Sequence, residues 1–178
     1  MIYEILADGF EEIEAVAPAD ILRRGGKEVM LTGLAQKTAV GSHGIEFICD
    51  INIDEIDKNN IEMVILPGGM PGTLNLKESK KVKELLDYCT NNSIYIGAIC
   101  AAPSILGKFG YLAGKSATCF PGFEDELIGA SVLTDSVVKD GNIITSRGAG
   151  TALDFGFSLL SVFNKEKADK LYTEMQCK

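Results

Sequence analysis

The stretch Ile94-Tyr95-Ile96-Gly97-Ala98-Ile99-Cys100-Ala101-Ala102-Pro103 reads as a buried strand that runs into a cysteine and then into a helix. Its apolar run has the length and β-branched content of a parallel strand covered on both faces. Pro103 suits a first helical turn, where its missing N–H costs no hydrogen bond. Cys100 then falls in the sharp turn between strand and helix. Ala98 and Ala102 flank it, the small-x-nucleophile-x-small pattern of a nucleophile elbow. Helix N-terminal amides carry partial positive charge and would face the sulfur. The reading predicts a thiol pKa depressed toward neutrality. It also puts the thiolate at a strand's carboxyl end, where open α/β sheets bind ligands. The competing reading, a buried thiol acting as a small hydrophobe, is outweighed by the strand, turn and Pro-helix context.

Three more apolar runs, Ile2–Ala7, Val29–Thr32 and Met63–Leu66, read as buried parallel strands. Residues 11–24 carry apolar residues at helical spacing and end at Gly25-Gly26. Residues 79–91 start at Ser79, a plausible N-cap, and put Val82, Leu85, Leu86 and Cys89 on one face. This alternation predicts a doubly wound, mostly parallel sheet with helices on both faces. Two excursions look antiparallel: residues 38–49 around Gly41–Gly44, and residues 135–145 around Asp140-Gly141. Helices over 151–163 and Lys165–Met175 close the chain, which is expected to form one domain over 1–178.

A second loop ends a strand at Leu66-Pro67-Gly68-Gly69. Glycines there let backbone N–H groups face a ligand. Gly69 N–H, with Ala101 N–H after the nucleophile, could form an oxyanion pocket. Gly68 adjoins it.

The net charge of −8 disfavours nucleic acid as a partner. No apolar run approaches the ~20 residues of a membrane span, and no secretory leader is apparent. The cytoplasm is the expected compartment. The five cysteines are odd in number and have no CxxC spacing, so neither a disulfide framework nor a metal site is expected. Cys89 and Cys119 read as core, and Cys177 as exposed and mobile. Arg147 follows a strand and is a candidate for an anion, a dimer partner or, more simply, a salt bridge. The one histidine, His43, sits in Gly41-Ser42-His43-Gly44 and reads as an exposed turn residue, with a substrate-facing role from a neighbouring subunit as the alternative. Spacing alone does not choose among Glu11, Glu12 and Glu14.

Leu66-Pro67-Gly68-Gly69, Ala98–Pro103 and Thr145-Ser146-Arg147-Gly148-Ala149-Gly150-Thr151 resemble the ThiJ/PfpI superfamily. Asp8-Gly9-Phe10-Glu11-Glu12-Ile13-Glu14 and Asp20-Ile21-Leu22-Arg23-Arg24-Gly25 resemble the branch of the parkinsonism-associated deglycase. The resemblance implies a flavodoxin-like, class I glutamine amidotransferase-like fold and a homodimer. It implies Cys100 as the catalytic, oxidation-sensitive thiol and Glu14 as its carboxylic partner, with Gly69 and Ala101 amides beside them; nothing in the sequence calls for a metal or organic cofactor. It also implies a glyoxalase III or deglycase activity on methylglyoxal or early glycation adducts. An oxidative-stress sensor or redox-regulated chaperone using Cys100 oxidation is the alternative. The family often has a histidine near the cysteine where this chain has Phe120, and its secondary cysteine falls on Ile48, one place from Cys49. Peptidase members carry a histidine directly after the cysteine, where this chain has Ala101. Amidotransferase relatives need a downstream histidine, and residues 101–178 contain none. Both activities are disfavoured.

Overall fold

The computed structural model describes residues 1–177. Its central sheet contains β1 (Ile2–Leu6), β2 (Val29–Gly33), β5 (Ile51–Asn52), β6 (Met63–Leu66), β7 (Tyr95–Ile99), β10 (Val137–Asp140) and β11 (Ile143–Ser146). Two ribbons lie outside it: β3 (Thr38–Val40) with β4 (Glu46–Ile48), and β8 (Ser116–Ala117) with β9 (Ser131–Val132). The helices are α1 (Glu12–Arg24), α2 (Gly72–Glu78), α3 (Lys80–Asn91), α4 (Pro103–Lys108), α5 (Ala152–Ser161) and α6 (Lys165–Glu174).

The strand order is β10-β11-β7-β6-β1-β2-β5. Every pair is parallel except β10 with β11, which turn at Asp140-Gly141. The chain winds outward from β1 to β2 and β5 on one side. On the other side it runs through β6, β7 and β11. Winding reverses between β1 and β6, so the loops after these strands separate and leave a crevice at their carboxyl ends.

Alternating side chains divide the sheet between two cores. Tyr3, Ile5, Val64, Leu66, Ile96 and Ala98 face Leu76, Val82, Leu86 and Leu106 of α2, α3 and α4. Ile2, Met63, Ile65, Ile99 and Ile144 face Ile21, Leu22, Phe155 and Leu159 of α1 and α5, with α6 behind. Each fully buried large side chain adds about 1.5–3 kcal/mol. A third cluster, Leu6, Phe10, Ala15, Ala39 and Cys49, pins the β3–β4 ribbon over the start of α1. There Phe10 and Phe47 meet edge to face at 5.1 Å. Ile48 points outward, 83% exposed, while Cys49 points in.

The four apolar strands, both antiparallel excursions and the helices at 11–24, 79–91, 151–163 and 165–175 are all present. Ser79 caps α3 by accepting from the Val82 amide. Helix α2 was not legible, because Gly72–Glu78 buries only Gly72, Thr73 and Leu76. Strands β5, β8 and β9 have two residues each, too few to show alternation. Cys177 is not free at the terminus: it is half-buried against the α5–α6 core, and its amide donates to Tyr172 O. Among the described residues no helix is long and apolar enough to cross a membrane.

Candidate active site

Cys100 adopts φ +64°, a left-handed conformation that costs a residue with a Cβ about 1–3 kcal/mol. Two hydrogen bonds hold it there. Cys100 N–H donates to Ser146 O at 2.9 Å, and Phe120 N–H donates to Cys100 O at 2.8 Å. Ala98 and Ala102 are fully buried at its flanks, and Pro103 opens α4. The elbow forms as the sequence predicts, with the thiol half-buried.

The structure also chooses among the three glutamates. Glu14 is fully buried on the first turn of α1, and its Oε2 accepts the Gly68 N–H at 2.8 Å. Glu11 N–H donates to Gly68 O at 2.9 Å, so α1 and the β6–α2 loop clasp each other. Gly68 has no alternative here: a Cβ would lie 2.7 Å from both Cys100 Cβ and Glu14 Oε2. Glu14 Oε1 is buried without a hydrogen-bond partner among the described residues. Burial pushes the Glu14 carboxyl up to about 7; hydrogen bonds from Cys100 and Gly68 pull it back, and the Glu11 charge adds to the rise.

The depressed thiol pKa does not materialise. Burial, then the Glu14 charge and its hydrogen bond, push Cys100 up to about 12. The Ala101 and Gly69 N–H groups point at the sulfur and oppose this, but do not outweigh it. Helix α4 has only six residues and begins with a proline, so it brings few free amides. The Glu14 contribution has a sign that depends on its proton. A protonated Glu14 donates to sulfur instead of repelling it, so the pair titrates as a unit and passes from two protons to one as pH rises through about 7.

Phe120 lies near the cysteine, with its amide bonded to Cys100 O and its side chain 47% exposed. Gly148 separates it from the sulfur. A Cβ at Gly148 would lie 3.0 Å from the Phe120 ring and 3.9 Å from Cys100 Sγ. Sequence reasoning did not single out Gly148, although it lies in the Thr145–Thr151 motif. Arg147 is half-buried and forms no ion pair within 4 Å among the described residues, so the expected salt bridge is absent; its charge acts on Glu124 and Cys119. His43 is exposed and does not approach Cys100 of its own chain; its Nδ1 lies 2.9 Å from Glu12 Oε2. Burial works to raise the Glu12 pKa, but the His43 ring and the His43 and Ile45 amides outweigh it and hold the carboxyl at about 2. Glu11, Glu12 and His43 bring ligand atoms within 4.8 Å of one another. Glu12 is already occupied by the loop amides, so the cluster acts as a clasp on the β3–β4 turn. A cavity of about 350 Å³ lined by Leu6, Asp8, Leu34, Asn75 and Ser79 contains none of these catalytic candidates.

Known proteins share this fold. Residues 1–162 match the DJ-1/PfpI family. The Drosophila melanogaster protein dj-1beta is 39% identical over 94% of this chain and 91% of its own. Its crystal structure superposes with a TM-score of 0.95 at 36% identity, covering 99% of this chain and 97% of that one. A Caenorhabditis elegans relative named glutathione-independent glyoxalase DJR-1.2 is 32% identical over 90% of this chain and 87% of its own. The oxidized Toxoplasma gondii DJ-1 structure has a TM-score of 0.93 at 31% identity, covering 98% of this chain and 97% of that one. The family match over residues 1–162, the 39% identity to a relative over nearly the whole chain and the shared flavodoxin-like fold place this protein in the DJ-1/PfpI family.

Proposed function

We propose that the protein is a glutathione-independent glyoxalase that converts methylglyoxal or related 2-oxoaldehydes to 2-hydroxy acids, with early glycation adducts as further substrates. The observation that carries the reading is the Glu14 carboxyl buried against Cys100 with a pKa raised to about 7. The C. elegans relative's name supports the same chemistry.

Glu14 takes the thiol proton, and the sulfur adds to the aldehyde carbon. The carbonyl electrons move to oxygen, where the Gly69 and Ala101 amides stabilise the charge. Glu14 returns its proton to that oxygen, giving a hemithioacetal. It then removes the proton from the former aldehyde carbon while the ketone oxygen takes up a proton, giving an enediol. Glu14 delivers the carbon-bound proton to the neighbouring carbon. The hydroxyl on the sulfur-bearing carbon gives up its proton as the thioester carbonyl forms, replacing the one the ketone oxygen took. The aldehyde carbon is oxidised and the ketone carbon reduced within one molecule, so no external oxidant or cofactor enters. Water cleaves the resulting thioester and releases the 2-hydroxy acid. The test is methylglyoxal turnover to lactate by the wild type and Cys100→Ala. Turnover abolished in Cys100→Ala supports the reading; equal turnover in both overturns it.

A redox-sensing role is the second reading, favoured by the Toxoplasma relative solved in an oxidized state. Protonated Glu14 and the two amides would hold sulfinate oxygens well. Against it stands the thiol pushed up to about 12, which leaves little thiolate for peroxide while Glu14 is ionised. Selective oxidation of Cys100 by peroxide without aldehyde turnover would favour the sensor.

We also propose a homodimer. Ile13, Val16, Ile45 and Leu153 are exposed around a cavity of about 310 Å³ whose lining also includes Ala17 and Phe47. An apolar face of this kind on a soluble-type surface marks a protein contact.

A further inference from the structure

The surroundings of Cys100 are asymmetric in a way the proposed chemistry does not use. The cysteine lies between two bare Cα atoms. On the Gly68 side stand the Glu14 carboxyl and the Gly69 amide. On the Gly148 side stands the Phe120 ring, with Cδ2 at 3.0 Å and Cε2 at 3.6 Å from the missing Cβ position. The backbone groups of Gly148 and Phe120 on that second side are already spent. Gly148 N–H donates to Thr151 Oγ1 at 3.1 Å, and Gly148 O accepts from Thr151 N–H at 2.8 Å. The Phe120 amide is committed to Cys100 O. The ring belongs to none of the three cores and remains 47% exposed, although its neighbour Cys119 is buried.

From this division we infer that Phe120 is a specificity-determining residue, selecting 2-oxoaldehydes with an apolar, preferably aromatic, substituent. The inference rests on the aldehyde chemistry proposed above. In a 2-oxoaldehyde bonded to sulfur, both oxygens seek donors or a proton carrier. Those lie toward Glu14, Gly69 and Ala101. The substituent on the ketone carbon is left the other direction, over Gly148 and against the ring. Hydrogen at that position gains nothing from the ring, methyl gains little, and phenyl stacks. Pocket contacts of this size discriminate by about tenfold or more.

The experiment measures kcat/KM for phenylglyoxal and glyoxal in the wild type, Phe120→Ala and the bulkier Phe120→Leu. The ratio of phenylglyoxal to glyoxal should fall about tenfold in Phe120→Ala and less in Phe120→Leu. Equal losses for both substrates would reduce Phe120 to a structural part and overturn the inference. A second readout needs no turnover: the rates at which iodoacetanilide and iodoacetamide alkylate Cys100, followed by mass spectrometry. Both form the same S–C bond and expel iodide, and they differ by a phenyl group. Loss of the anilide preference in Phe120→Ala supports the inference, and an unchanged preference overturns it. A wild type that turns over neither aldehyde would sink the glyoxalase proposal while the alkylation ratio still decides the role of Phe120.

Discussion

Glu14 Oε2 accepts the Gly68 amide at 2.8 Å across 54 positions of sequence. That bond fixes the carboxyl at the sulfur and leaves its second oxygen unspent. A carboxyl so held is a proton carrier in a defined place, and its titration should govern the rate.

Activity should therefore rise as pH passes through about 7, where Glu14 loses the second proton of the pair. It should not fall again until the thiol proton is lost at about 12. Initial rates between about pH 5 and 9 test this. Glu14→Gln keeps an acceptor for Gly68 but cannot carry a proton. It should lose about 10²–10⁴-fold in rate and flatten the profile. An unchanged profile in Glu14→Gln would remove Glu14 from the mechanism.

Gly68→Ala should damage the site without replacing a titratable group. Its methyl would meet Cys100 Cβ and Glu14 Oε2 at 2.7 Å. Overpacking of this kind costs about 1–3 kcal/mol. A lowered melting temperature together with lost methylglyoxal turnover is the expected result.

Glu4 is fully buried in the middle of β1, and neither carboxylate oxygen has a partner among the described residues. Burial raises its pKa well above 4.5, partly opposed by Arg23. The folded state therefore binds a proton that the unfolded chain releases above about 4.5. Glu4's contribution to stability is intact below that value and drains away as pH rises through the folded value. Glu4→Leu should raise the melting temperature, and by more at about pH 8 than at about pH 5. Thermal melts at both pH values check the sign.

The β3–β4 turn depends on Glu12, which accepts from the His43 amide at 2.8 Å and from the His43 ring at 2.9 Å. The ring's pKa is raised, chiefly by that hydrogen bond. The ion pair is complete between about 2, where Glu12 protonates, and the raised histidine value, and is lost above it. Hydrogen exchange at residues 41–45 should quicken in Glu12→Ala, and in the wild type more than base catalysis alone requires as pH rises past the histidine.

The apolar face predicts its own test. Ile45→Asp should convert a dimer to a monomer in light scattering, since Ile45 is 56% exposed and borders the cavity beside Leu153. A wild type that runs as a monomer would refute the dimer.

The elbow was legible because every residue from Ile96 to Pro103 agrees with one geometry, and the strands because each is a short, mostly apolar run, although β1 carries Glu4 in its middle. The thiol's ionisation was not. It depends on how far Cys100 is buried and on the charge of Glu14, and a linear sequence shows neither. Helix spacing left Glu11, Glu12 and Glu14 equivalent. They part only because the β3–β4 turn captures Glu12 while Gly68 captures Glu14. The resemblance to a family pointed to Glu14 before the fold did. Gly148 escaped notice because its role is to be empty between two side chains distant in sequence.

The sheet ends on one side in β5, two residues long, and on the other in β10, which carries the exposed Lys139 and whose Asp140 accepts the Ser116 amide at 2.8 Å. A visiting strand would find almost no rungs at the first border and a charged, partly covered rail at the second. The molecule thus offers little template for stacking into fibrils.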